Sequence, residues 1–363
     1  MIEDQRPTEN QVLSMLDRVG TPMSEYLNFN LPRVTTGAND VFVLQKSGNR
    51  YFSEFLNHDV NIEIELLRKV LTSSDFARYS IKQTELFLLF PYYATDSNSN
   101  VISENELSRN YPLAWNYIKK CEDRLKSRST RQMQSEWYGY STDRDLYILQ
   151  EELIVGKMVS GKPAFAIKEG DTFTLNETLG NSLPYISKHT QVNIDLWFVL
   201  SLVNSKILIF YMKMRSGRTS TSQMRISKKS LQNFPIIVPD INTQNTFRNI
   251  AKIVRYISDE LTEESINEYV PNSHIIATFD GLLEAMVYEL YFGEHFRNSD
   301  VHILEHLTLE TENFDLIEKS KYIETIHRLY QFVRSKENLI NANMKLMDIR
   351  LQSLLSTVYK LAN

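Results

Sequence analysis

Cysteine is nearly absent from this chain of 363 residues, in which Cys121 stands alone. A single cysteine excludes an internal disulfide and a cysteine metal cluster, and it makes a reducing cytoplasm the expected location. Long apolar runs are also lacking, because no stretch approaches the about 18 uncharged apolar residues that a membrane span requires. The first ten residues carry three acids and no apolar run, so we predict no secretory signal and no membrane partner.

The familiar motifs of nucleotide chemistry are missing as well. The sequence holds no G-x-G-x-x-G and no G-x-x-x-x-G-K-[ST], so it has no standard nucleotide cradle. It has no Asn/Asp-Pro-Pro-Tyr/Phe tetrapeptide, with which amino-methyltransferases clamp the target amino group, and no G-x-S-x-G nucleophile motif. We therefore predict no catalytic residue and no cofactor site in this chain.

Acidic residues are missing from one long segment, which we call the cationic strip. From Leu196 to Pro239, 44 residues carry seven Lys or Arg and no Asp or Glu, although the whole protein has a formal net charge of -5. Cations without neighbouring carboxylates suit a phosphate backbone, and hydroxyls between them also donate to phosphate oxygens. The alternative is a helix end followed by a solvated, Lys-rich loop. The predicted phosphate contacts are Lys213, Arg215, Arg218, Arg225 and Lys228.

A second group of cations lies beside aromatic residues. A predicted helix over Glu104 to Arg131 ends in a run of Lys and Arg, and two aromatic residues follow it. Arg can grip phosphate or a guanine edge, and rings can stack on exposed bases. Solvated arginines and a packed aromatic core are the alternatives. This group adds to the predicted DNA-binding residues Arg124, Arg128, Arg131, Trp137, Tyr138 and Arg144.

The pattern of apolar residues changes near Asp240. Before it, glycine-marked turns separate short predicted strands, and Asp195 to Met212 is predicted to be one buried helix. After it, apolar residues from Phe247 to Leu261 step by three and four, which indicates helix. The sequence therefore predicts an α+β fold, in which a mixed domain precedes an all-helical region. The expected units are a leader over 1–35, a DNA-recognition domain over 36–240 and a helical domain over 241–363.

The helical end is acidic and carries a long apolar repeat. Residues 240–363 hold 12 basic and 19 acidic side chains, whereas residues 1–239 hold 28 and 26. Nucleic acid repels an acidic surface, which suits a protein neighbour instead. Apolar residues recur at three–four spacing from Ile323 to Leu361 and are interrupted at Glu337. This repeat predicts a long heptad helix with a coiled coil over 323–361, through which the chain could self-associate. The alternative is a helix packed on its own domain.

One short segment has the spacing of a zinc site. His302-Ile303-Leu304-Glu305-His306 matches H-x-x-E-H, the inverted zinc-peptidase motif. Such a site needs a third ligand, and the downstream candidates are Glu318, Glu324 and Glu337. Two surface histidines on an acidic helix are the better interpretation, so we predict no metal site.

Several short motifs occur together in the order and spacing of one family. They are Thr36-Gly37-Ala38-Asn39-Asp40-Val41-Phe42, Leu67 to Leu71, Asp75 to Tyr79, Leu88 to Tyr92, Tyr111 to Trp115 with Leu125 to Arg128, Trp137-Tyr138 with Arg144, Leu202-Val203-Asn204-Ser205-Lys206, Phe234-Pro235-Ile236 with Pro239 and Gln244, and the tail Phe279 to Phe292. Over roughly residues 30–260 the chain resembles the TaqI-like C-terminal specificity (target-recognition) domain. This domain occurs in gamma-type adenine-specific DNA methyltransferases and type IIG restriction–modification enzymes.

The resemblance implies a DNA-recognition role. Such domains hold double-stranded DNA against a methyltransferase catalytic domain and select the site through the major groove, while the catalytic domain flips out adenine. In whole family enzymes the catalytic domain comes first, and here roughly 30 residues precede the resembling region. The chain is therefore expected to be a specificity subunit or fragment of a restriction–modification system, with S-adenosylmethionine bound by the methyltransferase partner.

Other functions stay open on the sequence alone. The main alternative is a helical scaffold or protein-interaction protein without DNA activity. A catalytically complete methyltransferase and a zinc peptidase are further alternatives. Residues that read bases vary within the family, so the resemblance assigns no base contact and no recognised DNA sequence.

Overall fold

The computed structural model describes most of the chain. The described residues are 6–29, 34–82, 84–95, 98–128, 136–142, 146, 151–156, 159–160, 164–170, 172–174, 185–189, 191–215, 224–225, 227–261, 265–310 and 313–362. They form an α+β fold, with mixed sheets in the N-terminal part and helices in the C-terminal part, as predicted.

Short strands build two main sheets. The strands are β1 (Thr21–Pro22), β2 (Leu27–Asn28), β3 (Val43–Ser47), β4 (Arg50–Ser53), β5 (His58–Val60), β6 (Leu67–Leu71), β7 (Leu86–Leu89), β8 (Tyr92–Thr95), β9 (Asn98–Val101), β10 (Leu153–Gly156), β11 (Val159–Ser160), β12 (Phe165–Lys168), β13 (Thr172–Thr174), β14 (Tyr185–Lys188), β15 (Met224–Arg225) and β16 (Pro235–Ile236). One sheet has the order β13-β6-β7-β3-β4-β5 and is antiparallel except for the parallel pair β13–β6. The other has the order β12-β10-β14-β2.

The helices concentrate in the second half of the chain. They are α1 (Glu9–Val19), α2 (Asn39–Phe42), α3 (Glu104–Asn110), α4 (Pro112–Lys120), α5 (Glu122–Lys126), α6 (Leu196–Val203), α7 (Lys206–Arg215), α8 (Lys228–Gln232), α9 (Ile241–Glu260), α10 (Asn272–Tyr291), α11 (Gly293–Asn298), α12 (Leu304–Glu310), α13 (Tyr322–Arg334), α14 (Leu339–Arg350) and α15 (Gln352–Ala362). The single helix predicted over Glu104 to Arg131 is α3, α4 and α5 instead. Pro112 begins α4, because proline fits the first turn of a helix but not its interior.

The four-stranded sheet lies between two apolar cores. Side chains alternate between the two faces of a strand, and paired residues of β10 and β12 follow this rule. Ile154 and Ile167 enter the core that is built on the C-terminal helices. Their neighbours Val155 and Ala166 enter the core shared with the six-stranded sheet and α4. This sheet therefore joins the two halves of the fold.

Helices α6 and α7 occupy the centre of the helical core. Every residue from Leu196 to Val203 is buried, and so is every residue from Ile207 to Met212. The two helices are bent by 58° at Asn204 and Ser205, where one continuous helix was expected. Within the described residues no single helix could cross a membrane, and this bent pair passes only by length and composition.

The first residues of the chain pack into the same helical core. Val12 and Leu16 of α1 are fully buried, and β1 pairs with β16 through Thr21 and Ile236. A side chain at Gly20 would meet the backbone of Ile236 at 2.9 Å, so glycine permits this close approach. The apolar cores thus divide the chain differently from the predicted units 1–35, 36–240 and 241–363, which stay predictions.

The predicted long heptad helix is not formed. Residues 323–361 lie in α13, α14 and α15, and Asn338 caps the start of α14 by accepting a hydrogen bond from the Ile340 amide at 2.7 Å. The heptad side chains, such as Tyr330, Met347 and Val358, are buried in the chain's own core. Packing on its own domain, the alternative to a coiled coil, is what this segment does.

Candidate nucleic-acid interface

The cationic strip emerges from the buried core at the end of α7. Lys213 donates a hydrogen bond to the Leu361 carbonyl at 2.6 Å, which ties α7 to the end of α15. Arg215 donates to both carboxylate oxygens of Asp17 on α1, at 2.7 and 2.6 Å, and its side chain is 46% exposed. This hydrogen bonding raises the pKa of Arg215, so the guanidinium stays charged. The two cations therefore lie at the surface where α1, α7 and α15 meet.

The rest of the strip is described in part. Arg218 lies outside the described residues, and for Arg225 the structure describes only the backbone, which pairs with Val159. Lys228 and Lys229 are exposed in the first turn of α8, which Ser227 caps by accepting from the Ser230 amide. Cations are unfavourable at the positive end of a helix dipole. The dipole of α8 therefore does not favour these two lysines.

The cations and aromatic residues of the second predicted group mainly hold the fold together. Arg128 is only 6% exposed and donates to the carbonyls of Leu125 at 2.9 Å, Thr36 at 2.6 Å and Trp137 at 2.6 Å. Arg124 forms two hydrogen bonds with Asp40, at 2.8 and 2.9 Å. The prediction that Arg128 contacts DNA is wrong, because a buried guanidinium that holds three carbonyls has no surface for a phosphate. Arg131 and Arg144 lie outside the described residues.

Trp137 and Tyr138 are core residues. They are 7% and 2% exposed, and both pack on Trp115 at ring distances of 6.0 and 5.4 Å. The Tyr138 hydroxyl donates to the Ile102 carbonyl at 2.9 Å. Their prediction as a surface for DNA is therefore wrong in this conformation, and core packing is the correct interpretation. Lys119 and Lys126 lie over the Trp137 ring, at 5.5 and 5.2 Å from its centre.

Motif residues of the resemblance also meet at a partly buried cluster around Arg78, which we call the Arg78 junction. Arg78 donates to Asp280 Oδ2 at 2.7 Å, to the Asn204 carbonyl at 2.8 Å and to Glu284 Oε1 at 3.3 Å. Both oxygens of Glu284 accept from the Lys206 amide at 3.1 Å, which places a carboxylate at the start of α7. The junction therefore joins the loop after β6, the α6–α7 bend and α10.

Burial changes the chemistry of Glu284. Loss of water raises the pKa of this carboxyl from 4.5 to about 7, although the Arg78 charge opposes the rise. A carboxyl of this kind could serve as a general acid or base, but here it lies under α7 and is only 8% exposed. Its position between Arg78 and Lys206 makes it a structural group.

A cavity of about 380 Å³ lies at the start of α6, and two of the charged residues that line it, Asp195 and Arg248, form an ion pair. Arg248 contacts Asp195 Oδ2 at 2.8 Å and Asp315 Oδ2 at 2.8 Å. Asp195 in turn caps α6 by accepting from the Trp197 and Phe198 amides. This lining has no nucleophile–base pair, so it indicates no catalytic site.

The H-x-x-E-H segment does not form one helical face. Helix α12 begins at Leu304, so His302 lies before it, where its imidazole contacts Asp300 at 3.5 Å. The Ile303 and Leu304 amides both donate to Glu289 at 2.8 Å. Among the residues that the structure describes, no group of three His, Cys, Asp or Glu could hold a metal ion.

Comparison with known families supports the resemblance drawn from the motifs. A family model described as the TaqI-like C-terminal specificity domain matches residues 68–236. The predicted resemblance is confirmed over this range, whose family is named for a specificity domain. No curated protein matches the chain.

Proposed function

Because residues 68–236 are a TaqI-like specificity domain, we propose that the chain recognises a specific DNA sequence for an adenine-specific DNA methyltransferase. The catalytic domain and its S-adenosylmethionine belong to another chain or to another part of the same protein. The observation that carries this proposal is that the family match runs through the cationic strip as far as Ile236. The exposed cations thus belong to a domain whose family selects DNA sites.

The proposed phosphate contacts are the cations of the strip that reach solvent. Arg215 and Lys228 are exposed, and Arg218 and Arg225 lie between them in sequence. The exposed pair of Arg215 with Asp17 contributes about 0–1 kcal/mol to stability, so a phosphate can replace the carboxylate at little cost. Lys213 is engaged by the Leu361 carbonyl and acts by positioning the end of α7. Arg131 and Arg144 stay proposed neighbours of the duplex.

A scaffold without DNA activity has less support. That alternative relied on an apolar heptad seam free to bind a second copy of the chain. The described heptad side chains, from Ile323 to Leu361, are buried or half-buried within this chain. Specific DNA recognition therefore remains the function that the arrangement favours.

The first test measures binding to duplex DNA across a range of salt concentrations, with the cognate methyltransferase present. Replacing two phosphate contacts in Arg215→Ala/Arg218→Ala should weaken binding to all sequences and reduce the salt slope by about two. The matched control is Lys321→Ala/Lys336→Ala, which removes two exposed cations outside the strip. Equal affinities for the wild type and the strip variant would refute the assignment.

The second test concerns the methyltransferase partner. Proteins that co-purify with the chain are assayed for adenine methylation of DNA with and without it. Methylation that is lost when the chain is left out supports a specificity role. Methylation at the same sites without the chain contradicts that role.

A further inference from the structure

A wide polar groove runs along α1, outside the residues that match the family. Its volume is about 830 Å³, and Arg6, Asn10, Ser14, Arg18, His295 and Ser353 line it. We call it the α1–α15 groove, because α1 and α15 form its two sides and α11 contributes His295. Past Asn10 it continues to Thr357 and Lys360, where Glu9 also lines it.

The sequence of α1 explains how the groove is lined. Asn10, Ser14 and Arg18 are spaced four apart, so they share one face of the helix. Val12 and Leu16 occupy another face and are fully buried. The polar face is therefore left to solvent, and it extends over about 12 Å from Asn10 to Arg18 at about 1.5 Å per residue.

The charge of the main groove is of one sign. Among the described residues that line the 830 Å³ part, Arg6 and Arg18 are cationic, His295 contributes an imidazole, and none is acidic. Amides and hydroxyls fill the spaces between them. Asp17, the acid beside Arg18 in sequence, does not line this part of the groove.

The groove is attached to the cationic strip through α7. Arg215 reaches α1 at Asp17, and Lys213 reaches the end of α15 at the Leu361 carbonyl. Thr357 of α15 donates to the Pro7 carbonyl at 2.9 Å, which fixes α15 against the segment before α1. The cationic strip and the groove are therefore held together by the contacts of α7 with α1 and α15.

We propose that the α1–α15 groove binds the phosphate backbone of the same duplex that the specificity domain recognises. The inference rests on the proposed function and extends the DNA surface to residues outside 68–236. Successive phosphates of one B-DNA strand lie farther apart than their axial rise of about 3.4 Å, and the face of α1, about 12 Å long, can reach more than one of them. Arg18 supplies charge, and Asn10, Ser14 and Ser353 supply hydrogen-bond donors.

The lining fits a phosphate backbone better than a protein partner. Side chains that position DNA on phosphates are Arg and Lys together with Ser, Thr, Asn and Gln. Protein interfaces are instead centred on buried aromatic and apolar anchors. The apolar residues of the groove are Pro7, Met15 and Leu354, of which Leu354 is buried.

The test places a carboxylate in the groove and removes one cation, in the variant Ser14→Glu/Arg18→Ala. Both positions are exposed on α1, and Glu forms helix at least as well as Ser, so the fold should be kept. The matched control is Ser265→Glu/Lys336→Ala, which makes the same charge change at exposed positions outside residues 68–236 and outside the groove. Binding of the full chain to a duplex containing its methylated site is measured from low to moderate salt, with the cognate methyltransferase present.

The groove variant should bind DNA about tenfold more weakly or worse at low salt, because it loses a charged hydrogen bond and gains repulsion. Its salt slope should fall by about one or more, while the control stays within about twofold of the wild type. Arg18→Lys, which keeps the charge, should retain most of the slope. Equal thermal unfolding of the variant and the wild type verifies that the fold is kept.

The remaining outcomes distinguish a failure of the groove proposal from a failure of the proposed function. If the groove variant binds like the wild type while Arg215→Ala/Arg218→Ala binds weakly, the groove proposal is overturned and the proposed function stands. If the groove variant binds DNA normally but loses the methyltransferase, the groove holds a protein, which also overturns the proposal. If the wild type shifts no duplex even with the methyltransferase, the proposed function and the groove proposal both fail.

Discussion

Glu284 provides a quantitative test of the Arg78 junction. Its carboxylate accepts two hydrogen bonds from the Lys206 amide and one from Arg78, with Asp280 and Tyr288 as titratable neighbours. The variant Glu284→Gln keeps the shape and one acceptor oxygen but cannot ionise. It should therefore change how the stability of the protein depends on pH, more than it changes the fold.

The expected sign follows from the raised pKa. The folded chain holds the Glu284 proton up to about pH 7, whereas the unfolded chain releases it near pH 4.5. The folded state binds more protons between these values, so the free energy of unfolding falls as pH rises from 4.5 to about 7. At about 1.4 kcal/mol per pH unit, the loss is about 3 kcal/mol. Above about pH 7 this contribution no longer changes.

The assay is thermal unfolding at several pH values from 5 to 8. An unfolding entropy of about 2.1 cal/mol/K per residue gives about 0.8 kcal/mol/K for a chain of this length, so 3 kcal/mol corresponds to about 4 °C in Tm. The Tm of the wild type should fall by about 4 °C more than that of Glu284→Gln over this range. Glu294→Gln, at an exposed position of α11, is the control and should follow the wild type. Parallel curves for Glu284→Gln and the wild type would show that Arg78 and Lys206 keep the carboxylate ionised throughout.

Two further predictions concern the first motif and its partners. Arg128→Ala should lower the free energy of unfolding by about 3 kcal/mol or more in chemical denaturation, because three buried carbonyls lose their donor. The control Arg109→Ala should change it little. A small effect of Arg128→Ala would contradict its structural role. Gly37→Ala should cost more than about 2 kcal/mol, because Gly37 has φ +71° and a Cβ would lie 1.9 Å from Ser141 Oγ. Gly48→Ala, at φ +60° with open space around it, should cost only about 1 kcal/mol, and equal losses for the two glycines would argue against the contact with Ser141.

Local patterns were enough to predict the fold class and the family. Short strands bounded by turns, such as β7 before Pro91, and helices with regular apolar spacing, such as α9, are properties of neighbouring residues. The family motifs are also short stretches in a fixed order. Each of these features can be recognised without knowledge of which distant residues come together.

The roles of single cations could not be predicted in the same way. Arg128 resembles any arginine at the end of a basic helix, and its three acceptors come from Thr36, Leu125 and Trp137, up to 92 positions away in sequence. The heptad over 323–361 failed for a related reason, since three–four spacing describes a core helix as well as a coiled coil. Asn338 could have indicated the start of a new helix, because it follows the interruption at Glu337 and asparagine is a preferred helix N-cap.

The cations of the α1–α15 groove do not form a charge run in the sequence. Arg18 and His295 are isolated in sequence, and folding brings them together across α1 and α11. A basic surface built from such distant residues leaves no compositional trace, whereas the cationic strip is visible because its cations are contiguous.

The buried motif residues and the exposed cations have different tasks in this architecture. Arg128 holds the first motif, and Asn204 pairs through its side-chain amide with the backbone of Phe165 at 2.9 and 3.0 Å. These residues are buried, so they shape the frame of the domain and cannot themselves read bases. Lys206 and Arg215 mark the two ends of α7, which spans about 15 Å between the Arg78 junction and the strip. Because α7 is buried between the Arg78 junction and the cationic strip, it fixes the position of the strip relative to the sheets. If the chain selects a DNA sequence as proposed, exposed side chains carried on this frame, outside the motifs that identify the family, must determine that sequence.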